Sequence, residues 1–174
     1  MSNLEKDTVK RVRKALIDVG LSNDIVEISE TAHTAVDVAK ALSVEVGAVV
    51  KTLTYTVGNR YVLALVAGNH QCKTEQLPRV LSLEGTVIRP TGDLVRAITG
   101  FPTGGISPIG LVAKLPMAID ASLKKFEKIY VSAGHSHCVF ATTVDELKQL
   151  TGGVITYAVA GPKEGAKAEP EITQ

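Results

Sequence analysis

The sequence predicts an α/β fold of the α+β type, with helices around a mixed and mostly antiparallel sheet. Apolar residues recur at helical spacing in some segments and alternate in others, and tight turns join the short strand-like segments. Apolar residues make up 45% of the 174 residues, which is enough for a core. Aromatic residues are only 4% and Trp is absent, so we expect a core of aliphatic side chains.

Composition predicts one domain over residues 1–160 and a disordered tail over residues 161–174 (GPKEGAKAEPEITQ). A formal net charge of +1 argues against a protein that coats nucleic acid by charge alone. This charge does not exclude a local basic patch. The N-terminal segment lacks the apolar core of a signal peptide, and no apolar run reaches membrane length. We therefore expect a cytoplasmic protein with no membrane partner. Cys72 and Cys138 lie in no CxxC pattern, so neither a disulfide framework nor a zinc ribbon is indicated.

Two amphipathic helices are predicted near the N-terminus. Ser2 and Glu5 have the spacing of a capping box, and the helix that follows is expected to end before Gly20. Its apolar face consists of residues at helical spacing: Val9, Val12, Leu16 and Val19. Thr34 and Asp37 open the second helix in the same way. Its buried side is predicted to carry Ala35, Val38, Ala39 and Leu42.

A β-hairpin follows these helices. Residues 49–57 (VVKTLTYTV) change the apolar period from helical to alternating, and the Gly58-Asn59 pair is a typical hairpin turn. The second arm, residues 61–68 (YVLALVAG), is apolar at nearly every position. Such a run is typical of a central strand covered on both faces.

The remaining elements alternate between short helices and short strands, joined by Gly and Pro. In chain order they are a helix over 74–81, a strand in GTVIRP (85–90), a helix over 92–99 closed by Gly100, strands in LVAKL (111–115) and MAID (117–120), a short helix near 123–126, strands in KIYVSAG (128–134) and CVFAT (138–142), a helix begun by a Thr143/Glu146 capping box and ended before Gly152, and a last strand in VITYAV (154–159).

Lys51 is placed unexpectedly within the first arm of the hairpin. It shares strand parity with Leu53, Tyr55 and Val57, the more apolar face and therefore the one expected to be buried. One interpretation is a strand-end lysine whose ammonium reaches water. The other is an ammonium that lines a pocket and contacts a phosphate or a carbonyl oxygen. The pattern alone leaves both open.

The glycine-rich loop over residues 100–110 (GFPTGGISPIG) is a second candidate site. Glycines let the backbone approach a ligand and turn successive N–H groups toward an anion or the oxyanion of a carbonyl under attack. A tight helix-to-strand connection is the alternative. The loop lacks the GK[ST] ending of a phosphate-binding loop and the GxSxG pattern of a nucleophile elbow, so Ser107 is not favoured as a nucleophile.

The segment His135-Ser136-His137 is a third candidate, since alternating residues of a strand point the same way. Two imidazoles could share a metal ion, but further ligands at suitable spacing are not visible. We therefore predict no metal and no cofactor, and interpret these residues as the polar rim of a pocket. His33 and His70 are interpreted as surface or capping residues.

Four segments in a specific order resemble one known family: residues 26–55 (VEISETAHTAVDVAKALSVEVGAVVKTLTY), 61–69 (YVLALVAGN), 100–110 (GFPTGGISPIG) and 118–134 (AIDASLKKFEKIYVSAG). They resemble the YbaK and prolyl-tRNA synthetase insertion-domain family of aminoacyl-tRNA deacylases, over roughly residues 25–158. Lys51 matches the family's lysine, and residues 104–108 match its GxxxP loop: Gly104, Gly105, Ile106, Ser107 and Pro108. Ser132 and Gly134 match a pocket segment.

The resemblance implies hydrolysis of the ester bond that joins a wrongly attached small amino acid, of the Cys, Ala or Pro type, to its tRNA. It also implies that this activity is related to tRNA(Pro). It implies that Lys51 anchors the terminal nucleotide, that loop amides stabilise the oxyanion, and that the tRNA's own ribose hydroxyl helps to position water. Relatives often carry a basic residue and glycine where this chain has His135, Ser136 and His137. This segment lies near the expected reader of the substrate side chain, so His135 and His137 are predicted to bind substrate.

With no synthetase domain in the sequence, the resemblance implies a free-standing trans-editing protein. Its expected partner is the acceptor end of an aminoacyl-tRNA, and an aminoacyl-tRNA synthetase is a further candidate. The alternative from a different class is a non-catalytic module of the same fold that binds aminoacylated or nucleotide-like ends. A purely structural or partner-binding protein is the third alternative.

Overall fold

The structure, a computed structural model, describes residues 2–163 of the chain. Its α-helices are α1 (Asp7–Asp18), α2 (Ala35–Leu42), α3 (Leu77–Leu81), α4 (Gly92–Thr99) and α5 (Val144–Thr151). Its strands are β1 (Ile25–Glu27), β2 (Val50–Val57), β3 (Arg60–Ala67), β4 (His70–Cys72), β5 (Val87–Ile88), β6 (Met117–Asp120), β7 (Ile129–His135), β8 (Cys138–Thr142), β9 (Val154–Thr156) and β10 (Ala160–Pro162).

The strands form three sheets. A five-stranded sheet has the order β5-β2-β3-β6-β9, a three-stranded sheet the order β1-β8-β7, and β10 pairs with β4. Among the strand pairs within residues 2–163, β3–β6 and β6–β9 are parallel and the other five are antiparallel. The predicted mixed, mostly antiparallel α/β fold is therefore confirmed.

The predicted hairpin is present, with β2 and β3 paired from Val50 opposite Ala67 to Val57 opposite Arg60. Gly58 adopts a φ of 63°, which the two-residue turn requires. β3 lies between β2 and β6, and its residues from Val62 onward are all buried. The apolar run in the second arm thus predicted a central strand correctly.

The prediction for the two faces of β2 needs correction, because both faces are covered. The threonine face pairs with Leu63 and Leu65 of β3 and packs into the larger core with α1 and β7. The Lys51 face packs into a smaller cluster around Tyr55 and Val57. Thr52 and Thr54 consequently hold buried hydroxyls that have no hydrogen-bond partner among the described residues. Alternation alone could not reveal a core on the more polar face.

Two of the three predicted capping boxes are present, and Gly100 ends its helix as predicted. Thr34 with Asp37, and Thr143 with Glu146, each form the reciprocal hydrogen bonds of a capping box. Gly100 ends α4 in the left-handed conformation with φ of 83°.

The capping box predicted at Ser2 and Glu5 is wrong. Ser2 Oγ caps a short 3-10 turn by accepting from Leu4 N and donates to Glu27 Oε1 at 2.6 Å, and α1 begins only at Asp7. The carboxylate that accepts from this segment is that of the distant Glu27, which also accepts from Asn3 N, and not that of Glu5.

Other predictions differ from the structure in the second half of the chain. LVAKL forms no strand, because Val112 N donates to Thr99 O at the end of α4 and three successive residues, 112–114, are exposed. The short strands β1, β4 and β10 were not predicted, since each depends on a distant partner.

β10 includes Gly161 and Pro162, the first residues of the predicted tail. The tail prediction for residues 164–174 lies outside the described residues. Within residues 2–163, none of the helices has both the length and the apolar composition needed to cross a bilayer.

Candidate active site

A cavity of about 310 Å³ opens between α2, the first half of β2, the glycine-rich loop and the turn that joins β7 to β8. Its lining comes from residues 32–35 and Val38, residues 49–53, Thr103, Gly104, Ile106, Tyr130, Ser132, Ser136, His137 and Val139. Six residues that the sequence indicated for a site meet there: Lys51, Gly104, Ile106, Ser132, Ser136 and His137. Segments far apart in the chain thus form one pocket.

Lys51 is half-buried at this cavity, and its Nζ donates a hydrogen bond to the backbone carbonyl of His70. Burial lowers the pKa of the Lys51 ammonium below its usual value, and the positive charge of Lys163 lowers this pKa further. The Asp120 carboxylate acts in the opposite direction. The ammonium is therefore incompletely compensated, which favours an anionic ligand beside it.

Behind Lys51, Asp120 organises a buried polar network. Its carboxylate accepts hydrogen bonds from His70 Nδ1 at 2.9 Å, from Ala67 N at 3.1 Å and from Ser122 N at 3.0 Å. Burial by itself would raise the pKa of Asp120, but these hydrogen bonds outweigh burial and lower the pKa below 3.8. The network holds His70 in place, and the backbone carbonyl of His70 accepts the hydrogen bond from Lys51 Nζ. His70 is thus a supporting residue of this network, and not the surface or capping residue predicted from the sequence.

Gly104 and Gly105 of the loop lie in different environments. Gly104 is exposed and lines the cavity, whereas Gly105 is buried and closes a 3-10 turn through its N–H to Pro102 O at 2.9 Å. A methyl group at Gly105 would lie 2.7 Å from His135 Cα, but one at Gly104 would meet only Ser136 Cβ, at 3.6 Å. Neither glycine has a positive φ. Close backbone packing, not a left-handed conformation, is what requires Gly105.

Ser107 and Pro108 are buried outside the cavity lining. The Ser107 side chain is fully buried, and its Oγ accepts from Ile109 N at 3.1 Å. This hydroxyl therefore stabilises the second half of the loop and does not face a substrate in the cavity.

The pocket segment of β7 contains a β-bulge. The pairing of β7 with β8 shifts register between Ser132 and His135, and Gly134 within the shift has a φ of 99°. A side chain at Gly134 would lie 2.7 Å from Thr8 O of α1. Gly134 is thus required by packing against α1, while Ser132 faces the cavity.

The two predicted histidines of the β7–β8 turn lie in different places. His137 lines the cavity, whereas His135 lines a neighbouring cleft of about 390 Å³ together with Lys6, Arg96 and other residues. The His135 Nδ1 accepts from His137 N at 3.1 Å, so the neutral imidazole carries its proton on Nε2. Burial lowers the pKa of His135, and the nearby His137 and Lys6 lower this pKa further.

Most of the chain matches a known protein family. The sequence model described as the aminoacyl-tRNA editing domain matches residues 29–150, more than half of the chain. The chain belongs to this family. A protein of Enterococcus faecalis provisionally named Cys-tRNA(Pro)/Cys-tRNA(Cys) deacylase EbsC is 32% identical over 127 residues, covering 72% of this chain and 76% of that protein.

Two further relatives place the editing domain in context. The proline–tRNA ligase of Solidesulfovibrio magneticus is 34% identical over 91 residues, which span 52% of this chain but only 16% of the ligase. A solved structure described as a candidate trans-editing enzyme for prolyl tRNA synthetase superposes with a TM-score of 0.82 at 30% identity, covering 92% of this chain and 99% of that chain. The predicted family and the predicted class of editing enzyme are confirmed.

Sequence reasoning missed two rings at the cavity of the editing domain. His33 precedes α2 and lines the cavity, with its ring 6.2 Å from that of His137 in an edge-to-face arrangement. Tyr130 of β7 also lines it. His33 carries no local signal of this role, because its neighbour His137 lies about a hundred residues away in the chain. Across residues 2–163, no group of three or more His, Cys, Asp or Glu residues is arranged to hold a metal ion.

The Asp120 network supports a stability prediction. We expect Asp120→Asn to lower the free energy of unfolding by about 1–3 kcal/mol, because an amide cannot accept from all three donors and leaves one buried and unpaired. The folded-state pKa of Asp120 is depressed, so its contribution is present above the usual carboxyl pKa of 3.8 and is lost as pH falls through the lower folded value. Urea denaturation of both proteins at pH 7 and at acid pH checks this.

In that experiment the difference between wild type and Asp120→Asn should shrink at acid pH. Asp24 is exposed, and Asp24→Asn is the matched control, expected to change stability by less than about 0.5 kcal/mol. Equal stability of wild type and Asp120→Asn at pH 7 would contradict the role of the network.

Proposed function

We propose that this editing domain hydrolyses the ester bond between a tRNA and a wrongly attached small amino acid, with Cys-tRNA(Pro) as the first substrate to test. The observation that carries the proposal is the single cavity shared by Lys51, the loop at Gly104 and Ile106, and the turn at His137. The name of the Enterococcus faecalis relative supports the choice of cysteine and of tRNA(Pro).

In the proposed reaction, water adds to the ester carbonyl carbon, and the bond from that carbon to the ribose oxygen then breaks. The amino acid leaves with the added oxygen, and the ribose oxygen takes up the proton. Charge that develops on the carbonyl oxygen requires nearby donors, a role that suits the backbone of the loop at Gly104 and Ile106. Lys51 suits the phosphate of the terminal nucleotide, because an ammonium is a compact point charge with three donors.

The cavity's composition limits the choice of general base: the imidazoles of His33 and His137 line it, but carboxylates and thiols of the described residues do not. Among the described residues that line the cavity, none is Asp, Glu or Cys. A protein carboxylate or thiol therefore does not serve as base or nucleophile in our proposal. The family resemblance favours a hydroxyl of the terminal ribose over the imidazoles of His33 and His137 as the group that positions the water.

A panel of tRNA(Pro) molecules charged with Cys, Ala or Pro, compared with a tRNA carrying a large side chain, tests the proposal. We expect ester loss well above the spontaneous rate for at least one small amino acid. Binding without cleavage would instead favour the non-catalytic module of the same fold. If the protein neither binds nor cleaves any member of the panel, the proposal is rejected.

We also propose that proline–tRNA ligase is a functional partner, since part of this chain resembles a segment of such an enzyme. If the two act in succession on one tRNA, purified ligase and editing domain together should leave less mischarged tRNA(Pro) at steady state than ligase alone. An unchanged amount of mischarged product would argue against this partnership.

His137 provides a specificity prediction. Because His137 lines the cavity and His135 lines the neighbouring cleft, we expect His137→Ala to change the ranking among Cys, Ala and Pro by roughly tenfold. His135→Ala is the matched comparison and should change the ranking less. The measurement is kcat/KM for each charged tRNA. An equal loss for all three substrates would contradict a specificity role for His137.

A further inference from the structure

Arg11 of α1 joins the two ends of the glycine-rich loop. Its Nε donates to Gly110 O at 2.8 Å, and its Nη2 donates to Gly100 O at 2.7 Å. We propose that Arg11 is a positioning residue for the loop at the active site, one that holds the loop backbone in its working geometry from behind. As a role in deacylation, this inference rests on the proposed function.

The surroundings of Arg11 restrict its guanidinium to this position. The guanidinium carbon lies 4.4 Å from the centre of the Phe101 ring, which is fully buried, in a cation–π arrangement. A side chain at Gly100 would overlap Arg11 Nη2 and Val112 Cγ1. Glycine at the first position of the loop therefore leaves the space that the guanidinium occupies.

The chemistry of the two hydrogen bonds requires arginine. Nε and Nη2 are neighbouring donors of one rigid plane, so they can reach two carbonyls that belong to opposite ends of the loop. A lysine ammonium keeps the charge, but it is a point on a flexible stem and lacks the fixed spacing of two donors. Arg11→Lys should therefore keep the positive charge but lose the fixed spacing of the two hydrogen bonds.

The loop itself has few internal restraints along the part that reaches the cavity. Gly105 N bonds to Pro102 O, and Ile109 N bonds to Ser107 Oγ. The exposed Gly104 lies between the two ends that Arg11 holds. Besides the packing of the adjacent Gly105 on β7, the position of Gly104 relative to a substrate carbonyl depends on how firmly those ends are fixed.

The same helix also contacts the pocket segment of β7. Gly134 packs against Thr8 O of α1, and Gly110 packs against Arg11 O and Val12 Cα. α1 thus supports both the glycine-rich loop and the bulge of β7, the two segments that meet at Gly105. Arg11 lies before residues 29–150, so the matched family segment does not include this support.

We expect Arg11→Lys to lower kcat for deacylation roughly 10- to 100-fold, because small displacements of a positioning group have effects of that size. KM should change by less than about threefold, since the substrate-binding side chains of the cavity stay in place. The matched control is Arg13→Lys on the same helix, whose guanidinium contacts Leu4 O at 3.4 Å, away from the loop. Arg13→Lys should keep wild-type kcat.

Two measurements separate positioning from general stability. Amide hydrogen exchange over residues 101–109 should become at least about tenfold faster in Arg11→Lys and stay unchanged in Arg13→Lys. In the wild-type protein, the Arg11 Nε–H should exchange slowly with solvent by NMR, in contrast to that of the exposed Arg60. The NMR measurement needs no variant, so it remains decisive even if Arg11→Lys folds poorly.

The outcomes are distinguishable. Wild-type kcat in Arg11→Lys, unchanged loop exchange, or a rapidly exchanging Arg11 Nε–H would each overturn the positioning role. A lower melting temperature with normal kcat at low temperature would reduce Arg11 to a structural residue. If the wild-type protein deacylates no substrate, the proposed function fails, and exchange of the loop and of Arg11 Nε–H still decides whether Arg11 holds the loop.

Discussion

Lys51→Ala should lower kcat/KM for deacylation on the order of 10²–10³-fold, about the cost of truncating one partner of a hydrogen-bonded pair of charges. Lys51 is one of the residues that line the cavity, and its ammonium donates to the carbonyl of His70. The substitution removes the positive charge that our proposal assigns to the terminal phosphate. Steady-state kinetics on the most reactive charged tRNA measures the effect.

The fold should survive this substitution. Burial lowers the pKa of Lys51, which means that the charged form is less favourable in the folded protein than in the unfolded chain. Removing the charge therefore need not lower the melting temperature, which should be recorded for each variant. The exposed Lys14, which pairs with Asp18 on the outer face of α1, is the control, and Lys14→Ala should retain full activity.

Lys51→Arg tests the chemistry more closely, and we expect it to fail as well. A planar fork is longer and bulkier than an ammonium and cannot reproduce a point charge at the same position. Wild-type turnover by a folded Lys51→Ala protein would remove Lys51 from the proposed mechanism. Full activity of Lys51→Arg alone would show that charge matters but its geometry does not.

Gly105→Ala is the second substitution with a large expected effect, also roughly 10²–10³-fold in kcat/KM. The new methyl group would lie 2.7 Å from His135 Cα and 3.0 Å from Gly134 C, so the loop must move away from β7. Because these contacts are backbone atoms, the strain cannot be relieved by a side-chain rotation. Kinetics together with melting temperature separate misplacement of the loop from unfolding.

Gly104 and Ser107 provide the comparison within the same loop. A methyl group at Gly104 meets only Ser136 Cβ at an ordinary distance, so Gly104→Ala should fold normally and lose activity only by occupying the cavity. Ser107→Ala removes a buried acceptor, which should reduce stability by about 1–3 kcal/mol and leave the rate per folded molecule unchanged. An inactive, folded Ser107→Ala with active glycine variants would instead indicate a nucleophilic serine.

Elements with local signals were predictable from the sequence. The hairpin was indicated by alternation around Gly58-Asn59, and α2 and α5 by capping boxes whose partners are three residues apart. The short strands β1, β4 and β10 were not predicted from local pattern. Their pairing partners lie far away in the chain.

The candidate site follows the same division. The sequence by itself determined that Lys51 and a glycine-rich loop would be the chemically unusual features, since a lysine in an apolar strand and four glycines in one loop are visible without a structure. It also determined the family through the order of those segments. It did not determine which of the loop residues face a substrate.

Tertiary structure alone decided that Gly104 faces the cavity while Gly105 packs on β7, and that His137 and not His135 lines the same cavity. It also brought Arg11 to both ends of the loop. The physical reason is that each of these roles is a contact between segments distant in the chain. Periodicity and capping report on neighbours within a few residues, whereas the direction in which a loop packs depends on the helix and strand that close over it.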